Sequence, residues 1–157
     1  MFKNKYINLI LWVSLMLAVS SSMGVLTKNN INDWYINLNR SSLTPPNHFF
    51  GIVWTILYIM IAIAGWQIWQ QKPSSKLSNI KRLYISQLIL NWLWTPLFFH
   101  FHLIGASFIW IVLINLIVII LILKSYQKLK LVSLLLIPYC LWGLFASYLN
   151  FYIWLYN

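Results

Sequence analysis

Five long apolar blocks run along the chain, separated by shorter polar or basic connections. They fall roughly at residues 6–26, 49–70, 83–103, 104–123 and 131–156. Apolar residues fill these blocks continuously instead of recurring as amphipathic stripes. Each block is close to the length, about 20 residues, at which a helix crosses the hydrocarbon core of a bilayer. The pattern predicts an all-α membrane protein, a bundle of five transmembrane helices forming a single domain over residues 1–157. The third and fourth blocks meet at a tight turn near Leu103–Gly105, so they should be antiparallel neighbours. The longest connection, residues 27–48, contains Asp33, Trp34 and Tyr35 and then Thr44-Pro45-Pro46-Asn47. A connection of that length rich in aromatics and proline predicts a lid rather than slack chain. Its Asn39-Arg40-Ser41 fits the glycosylation pattern, which carries little weight in so short a loop beside a membrane.

Composition agrees with lipid as the surrounding solvent. Hydrophobic residues make up 61% of the 157 positions and charged residues 8%, against about 25% charged in ordinary soluble domains. A chain this short cannot enclose so much apolar surface in a water-facing shell. The net charge is +10 and Asp33 is the only acid. Basic residues sit in clusters between the apolar blocks and form no stripe on a soluble face, which argues against nucleic acid as a partner. Their distribution is topogenic instead. Lys3, Lys5, Lys72, Lys76, Lys81, Arg82, Lys124, Lys128 and Lys130 fall on one side of the bilayer, and only Lys28 and Arg40 on the other. That bias places the N-terminus in the cytoplasm, and the C-terminus and the long connection outside. The first block follows Lys3 and Lys5 like a secretory signal. It is long and lacks a small-residue cleavage site, so it reads as a retained span.

Polar residues inside the spans usually face the bundle or a cavity. Gln87, Asn91 and Thr95 recur at steps of four in the third span, and Phe98 and His102 continue the stripe. Interhelical hydrogen bonding and one wall of a pocket are both consistent with it. In the fifth span Trp142, Ala146 and Asn150 follow one another at steps of four, with Tyr139 a turn earlier; in the second, Trp54 and Tyr58 share a face. Most of the ten tryptophans must serve as anchors or packing. Trp54 and Trp142 differ in lying near the outer ends of their spans, beside the long connection. His48, His100 and His102 have no Cys, Asp or Glu beside them to complete a metal site, and no metal is expected. Cys140 reads as a small buried hydrophobe. With one acid in the chain no Ser-His-acid set or carboxylate pair can be built, so ordinary hydrolytic or phosphoryl-transfer chemistry is excluded.

At these residues the sequence resembles the TspO/translocator-protein family, also called tryptophan-rich sensory proteins or peripheral benzodiazepine receptors. Three blocks carry the likeness: Trp34-Tyr35 through Ser42-Leu43-Thr44-Pro45-Pro46 and on to Phe50-Gly51-Ile52-Val53-Trp54-Thr55-Ile56-Leu57-Tyr58; Leu90-Asn91-Trp92-Leu93-Trp94-Thr95-Pro96-Leu97-Phe98-Phe99; and Pro138-Tyr139-Cys140-Leu141-Trp142 with Phe145-Ala146-Ser147-Tyr148-Leu149-Asn150. The resemblance implies a five-helix bundle whose pocket opens toward the long loop. It implies a receptor for porphyrins and related hydrophobic planar ligands, acting in tetrapyrrole sensing, trafficking or disposal, with no cofactor required. Carried over by position, the implied pocket residues are Tyr35, Pro45, Trp54, Asn91, Thr95, Phe98, Trp142 and Ala146. A second function class implied is light-dependent porphyrin breakdown in which Trp54 and Trp142 take part. The likeness also implies a bacterial inner membrane and a homodimer. Small-residue faces occur at Ser14, Ala18 and Ser22, and at Gly143 and Ser147.

The chain departs from the family pattern at three places. Leu43 stands where a Trp is usual before the two prolines. Trp110 stands where an acid is common in the fourth span. Tyr152 is followed by no basic residue, so sterol binding through that motif is not supported.

The basic bias makes a direct prediction. A cytoplasm-active reporter fused to the N-terminus and a periplasm-active reporter fused to the C-terminus should both give signal. A periplasm-active reporter working at the N-terminus contradicts the orientation.

Overall fold

The computed structural model describes residues 5–31 and 34–157. Lys3 and Asp33, used above for topology and for the loop, lie outside the described residues. Five helices follow one another: α1 (Lys5–Ile31), α2 (Asn47–Trp69), α3 (Ser75–Thr95), α4 (Ile104–Tyr126) and α5 (Lys130–Tyr156). A short 3-10 turn, Tyr35–Asn37, lies between α1 and α2, and a π-helical turn, Pro96–His100, extends α3. No strand occurs among the described residues. The protein is a five-helix membrane bundle.

Two boundaries differ from the apolar pattern for identifiable reasons. Helix α3 starts at Ser75, well before the apolar block begins near Leu83. The Ser74 hydroxyl accepts a hydrogen bond from the Leu77 amide at 3.2 Å and caps it. Its first two turns carry Ser75, Lys76, Ser78, Asn79, Lys81 and Arg82. That polar start leaves α3 less apolar than α1, α2, α4 and α5, each of which is long and apolar enough to cross a membrane. Helix α1 runs on to Ile31. Thr27 and Asn30 donate side-chain hydrogen bonds to the carbonyls of Met23 and Leu26, at 2.9 Å each, so polar residues complete the last turns without ending them. The connection predicted over 27–48 is thereby shortened at both ends.

The end of α3 is set by Pro96. Proline has no amide hydrogen to give the preceding turn. The backbone widens there, and the Phe101 amide donates to the Pro96 carbonyl at 3.0 Å. His102 then takes a left-handed conformation, φ 56°, which reverses the chain into α4 within three residues.

Helices α1, α2, α5, α4 and α3 pack in that cyclic order, and α3 with its π turn closes back on α1. Lipid gives helices little hydrophobic reason to associate, so packing and hydrogen bonds must hold the ring. Three indoles supply such bonds: Trp66 donates to the Lys5 carbonyl at 3.2 Å, Trp94 to Ser107 at 3.1 Å and Trp110 to Leu90 at 2.9 Å. Between α4 and α5, Asn115 donates to the Ser147 hydroxyl at 2.8 Å and Ser133 to the Ile122 carbonyl at 2.9 Å. The Gly143–Ser147 face is therefore used inside the bundle, whereas Ser14, Ala18 and Ser22 are exposed.

The half of the ring that holds the start of α1 is filled. Tyr84 is fully buried there and donates its hydroxyl to the Ile61 carbonyl at 2.8 Å. Trp12 and Trp69 pack edge-on or tilted around it. Gly65 lets Tyr84 lie against α2, because a Cβ at that position would overlap the phenol. At Gly51 a Cβ would meet nothing within 4 Å. Gly65→Ala should thus cost about 1–3 kcal/mol, the scale of an overpacked core, while Gly51→Ala leaves stability unchanged. Melting of both variants in one detergent checks the contrast.

Candidate ligand-binding cavity

The half of the ring that holds the C-terminal end of α5 is hollow. A cavity of about 560 Å³ is lined from all five helices, the 3-10 turn and the π turn. Its floor is a hydrogen-bonded junction. The Tyr58 hydroxyl of α2 donates to Asn91 Oδ1 of α3 at 2.6 Å, and Asn91 Nδ2 donates to the Tyr139 hydroxyl of α5 at 3.0 Å. All three residues are buried. The two readings of the polar stripe are therefore both correct at Asn91, which ties three helices and also faces the cavity.

Tryptophans from the adjoining helices α2 and α5 form part of the wall. Trp54 packs on the floor, 5.7 Å from the Tyr58 ring and 6.4 Å from Tyr139. Trp142 packs against Phe50, Phe49 and Phe145. Its Nε1, and Oδ1 of Asn150 on the same helix, are buried with no hydrogen-bond partner. One donor and one acceptor on the α5 wall are thus uncommitted. Ala146 lies between them in sequence and also lines the cavity. On the α1–α2 side Gly24 and Gly51 line it, and a Cβ at either would meet nothing within 4 Å.

The roof comes from the connection and the π turn. Tyr35 is buried and packs on Phe98 and Phe99, with ring centroids 6.2 and 5.7 Å away. Burial pushes its phenol pKa up, and the Arg40 guanidinium, 5.2 Å from the ring, pulls it partly back. Trp34 stacks on His102 at 4.0 Å, which places the left-handed residue against the loop.

The connection is stitched to the C-terminal end of α5. The Asn39 amide donates to Asn157 Oδ1 at 2.9 Å, Asn39 Nδ2 to the Tyr156 carbonyl at 3.0 Å, and Asn157 Nδ2 to the Asn39 carbonyl at 3.2 Å. Ser41 and Tyr148 share a hydrogen bond of 3.0 Å. The side chain of the sequence pattern's Asn39 is thus already engaged.

Of the residues singled out in the sequence, Tyr35, Trp54, Asn91, Thr95, Phe98, Trp142 and Ala146 all line this one cavity. Pro45 does not. It lies in a separate, shallow cleft with Arg40, Ser41, Thr44 and Tyr152, because the chain follows the C-terminal end of α5 before entering α2 at Asn47. Gln87 of the same stripe is completely buried outside the cavity lining, with neither amide atom paired. His102 has left the helix altogether. Sequence reasoning missed Asn115 and Lys28, both on the cavity lining. Asn115 had a usable signal, as a lone amide within the apolar run of α4.

The TspO/MBR family model matches residues 12–155. The chain is 38% identical to the tryptophan-rich protein TspO of Archaeoglobus fulgidus over 141 residues, covering 90% of this chain and 91% of that protein. It is 35% identical to the tryptophan-rich protein TspO of Chlorobaculum tepidum, over 94% and 95% of the two chains. It is 31% identical to the translocator protein of Sus scrofa, over 87% and 84%.

Proposed function

The chain belongs to the TspO/MBR family, and we propose that it is a membrane receptor for porphyrins and related planar hydrophobic ligands, serving tetrapyrrole sensing, trafficking or disposal. The family supports the coarser part, a sensory or receptor role in a membrane. The finer part is carried by one observation: Trp54 and Trp142 come from different helices and line the same cavity. Indole faces stack on flat conjugated rings. The cavity volume of about 560 Å³ is within the range, about 300–1,000 Å³, of sites for compact organic ligands.

Light-dependent breakdown of a bound porphyrin is a second reading, and the same two indoles favour it. A photosensitising ligand held beside oxidisable tryptophans can react under light with dioxygen as the oxidant, without a designed catalyst. Product formed only under illumination, and only with both tryptophans present, distinguishes this from binding alone.

The basic bias puts the cavity mouth on the outer side of the membrane, which for a bacterial host is the periplasmic face of the inner membrane. A homodimer would use the exposed Ser14–Ala18–Ser22 face of α1, since the Gly143–Ser147 face is occupied within the bundle.

Replacing Ala146 tests the reading most sharply. Ala146→Leu should fill the space beside Trp142 and abolish protoporphyrin binding while the protein stays folded. Trp142→Phe should weaken binding by about 1 kcal/mol, the scale of an aromatic pair. Titration in nanodiscs with parallel melting curves measures both. An Ala146→Leu protein that is folded and binds like the parent contradicts the site.

A further inference from the structure

Among the described residues lining the cavity, only one carries a charge: Lys28, in the last turn of α1. Its surroundings make the position suited to a ligand. Helical side chains lean toward the N-terminus, so the Lys28 stem lies over the turn that holds Gly24. Gly24 has no side chain, and a Cβ there would meet nothing within 4 Å. The gap gives the ammonium a route across the cavity mouth. A second cation, Arg40, sits over the ring of Tyr35, which lines the same cavity. No acidic side chain occurs among the described residues, since Asp33 is the only acid in the chain. The rest of the lining is aromatic, aliphatic or neutral polar. The cavity thus has an apolar, ring-stacking interior and a positive rim.

We propose that Lys28 is a specificity-determining residue that selects ligands bearing a carboxylate at one edge, with the planar body among the tryptophans and the acid at the α1 rim. This rests on the cavity being the ligand site. It goes further in naming which ligands are preferred and by what contact. An ammonium is a compact donor that recognises a carboxylate as a point charge. A charge-assisted hydrogen bond beside a low-dielectric cavity is stronger than the same pair in water. The alternative role for Lys28 is an interface anchor that reaches lipid phosphates.

The test uses the full chain in nanodiscs of zwitterionic lipid. Protoporphyrin and its dimethyl ester, which share one ring and differ in charge, are titrated by quenching of tryptophan fluorescence. The parent should prefer the free acid by roughly fivefold, the upper range of a partly exposed ion pair, and the preference should shrink at high salt. Lys28→Gln should bring the two ligands to equal affinity without changing that for the ester. Lys28→Arg should restore the preference. A Lys28→Gln protein that keeps the preference, or loses both ligands by the same factor, overturns the proposal. A parent that binds acid and ester equally overturns the role of Lys28 and leaves the receptor reading intact. A parent that binds neither overturns both.

Discussion

The hydrogen-bonded junction at Asn91 is the constraint on which the cavity-bearing half of this protein depends. A polar group in lipid has no water to pair with, so it must find its partner inside the bundle. Asn91 accepts from Tyr58 and donates to Tyr139, and so fixes α2, α3 and α5 at one level. Below that level large side chains fill the ring, with Tyr84, Ile61, Leu121 and Leu136 almost completely enclosed. Above it, small residues on facing helices, Gly24, Gly51 and Ala146 among them, leave the space. The junction is thus both a structural tie and the floor of the cavity.

The same economy applies to the tryptophans. Trp66, Trp94 and Trp110 give their indole hydrogens to backbone carbonyls of other helices. Trp12 and Trp69 pack around Tyr84. Trp142 lines the cavity, and its buried indole hydrogen goes to no carbonyl. Two departures from the family pattern also acquire a physical meaning. Trp110, where an acid is common, ties α4 to α3. Leu43, where a Trp is usual, is 62% exposed and lies outside the cavity lining.

Helix number and order were legible because lipid demands long apolar runs, and five of them stood out. Boundaries were less legible. The polar start of α3 looked like a loop because Lys76, Lys81 and Arg82 are what cytoplasmic connections also carry. The extension of α1 through Asn30 depended on side-chain bonds to its own backbone. Seven of eight nominated residues fall on one cavity, because helical periodicity places Asn91 with Thr95, and Trp142 with Ala146, on single faces. Pro45 lies apart from the cavity for the opposite reason. Its position depends on how an irregular segment runs along α5, through Asn39 and Ser41, and no periodicity encodes that. Lys28 went unnoticed as a lining residue since its charge was read for topology alone.

The central claim is that Asn91 couples the helices surrounding the cavity, and a double-mutant cycle measures that coupling directly. Tyr58→Phe, Asn91→Ala and the pair of them are compared by reversible unfolding in one detergent. Each single change should destabilise the protein, and the double variant should lose less than the two losses added. The coupling should be about 0.6–1.7 kcal/mol, the range measured for interhelical hydrogen bonds in membranes. Strictly additive losses, or an Asn91→Ala protein as stable as the parent, would contradict it.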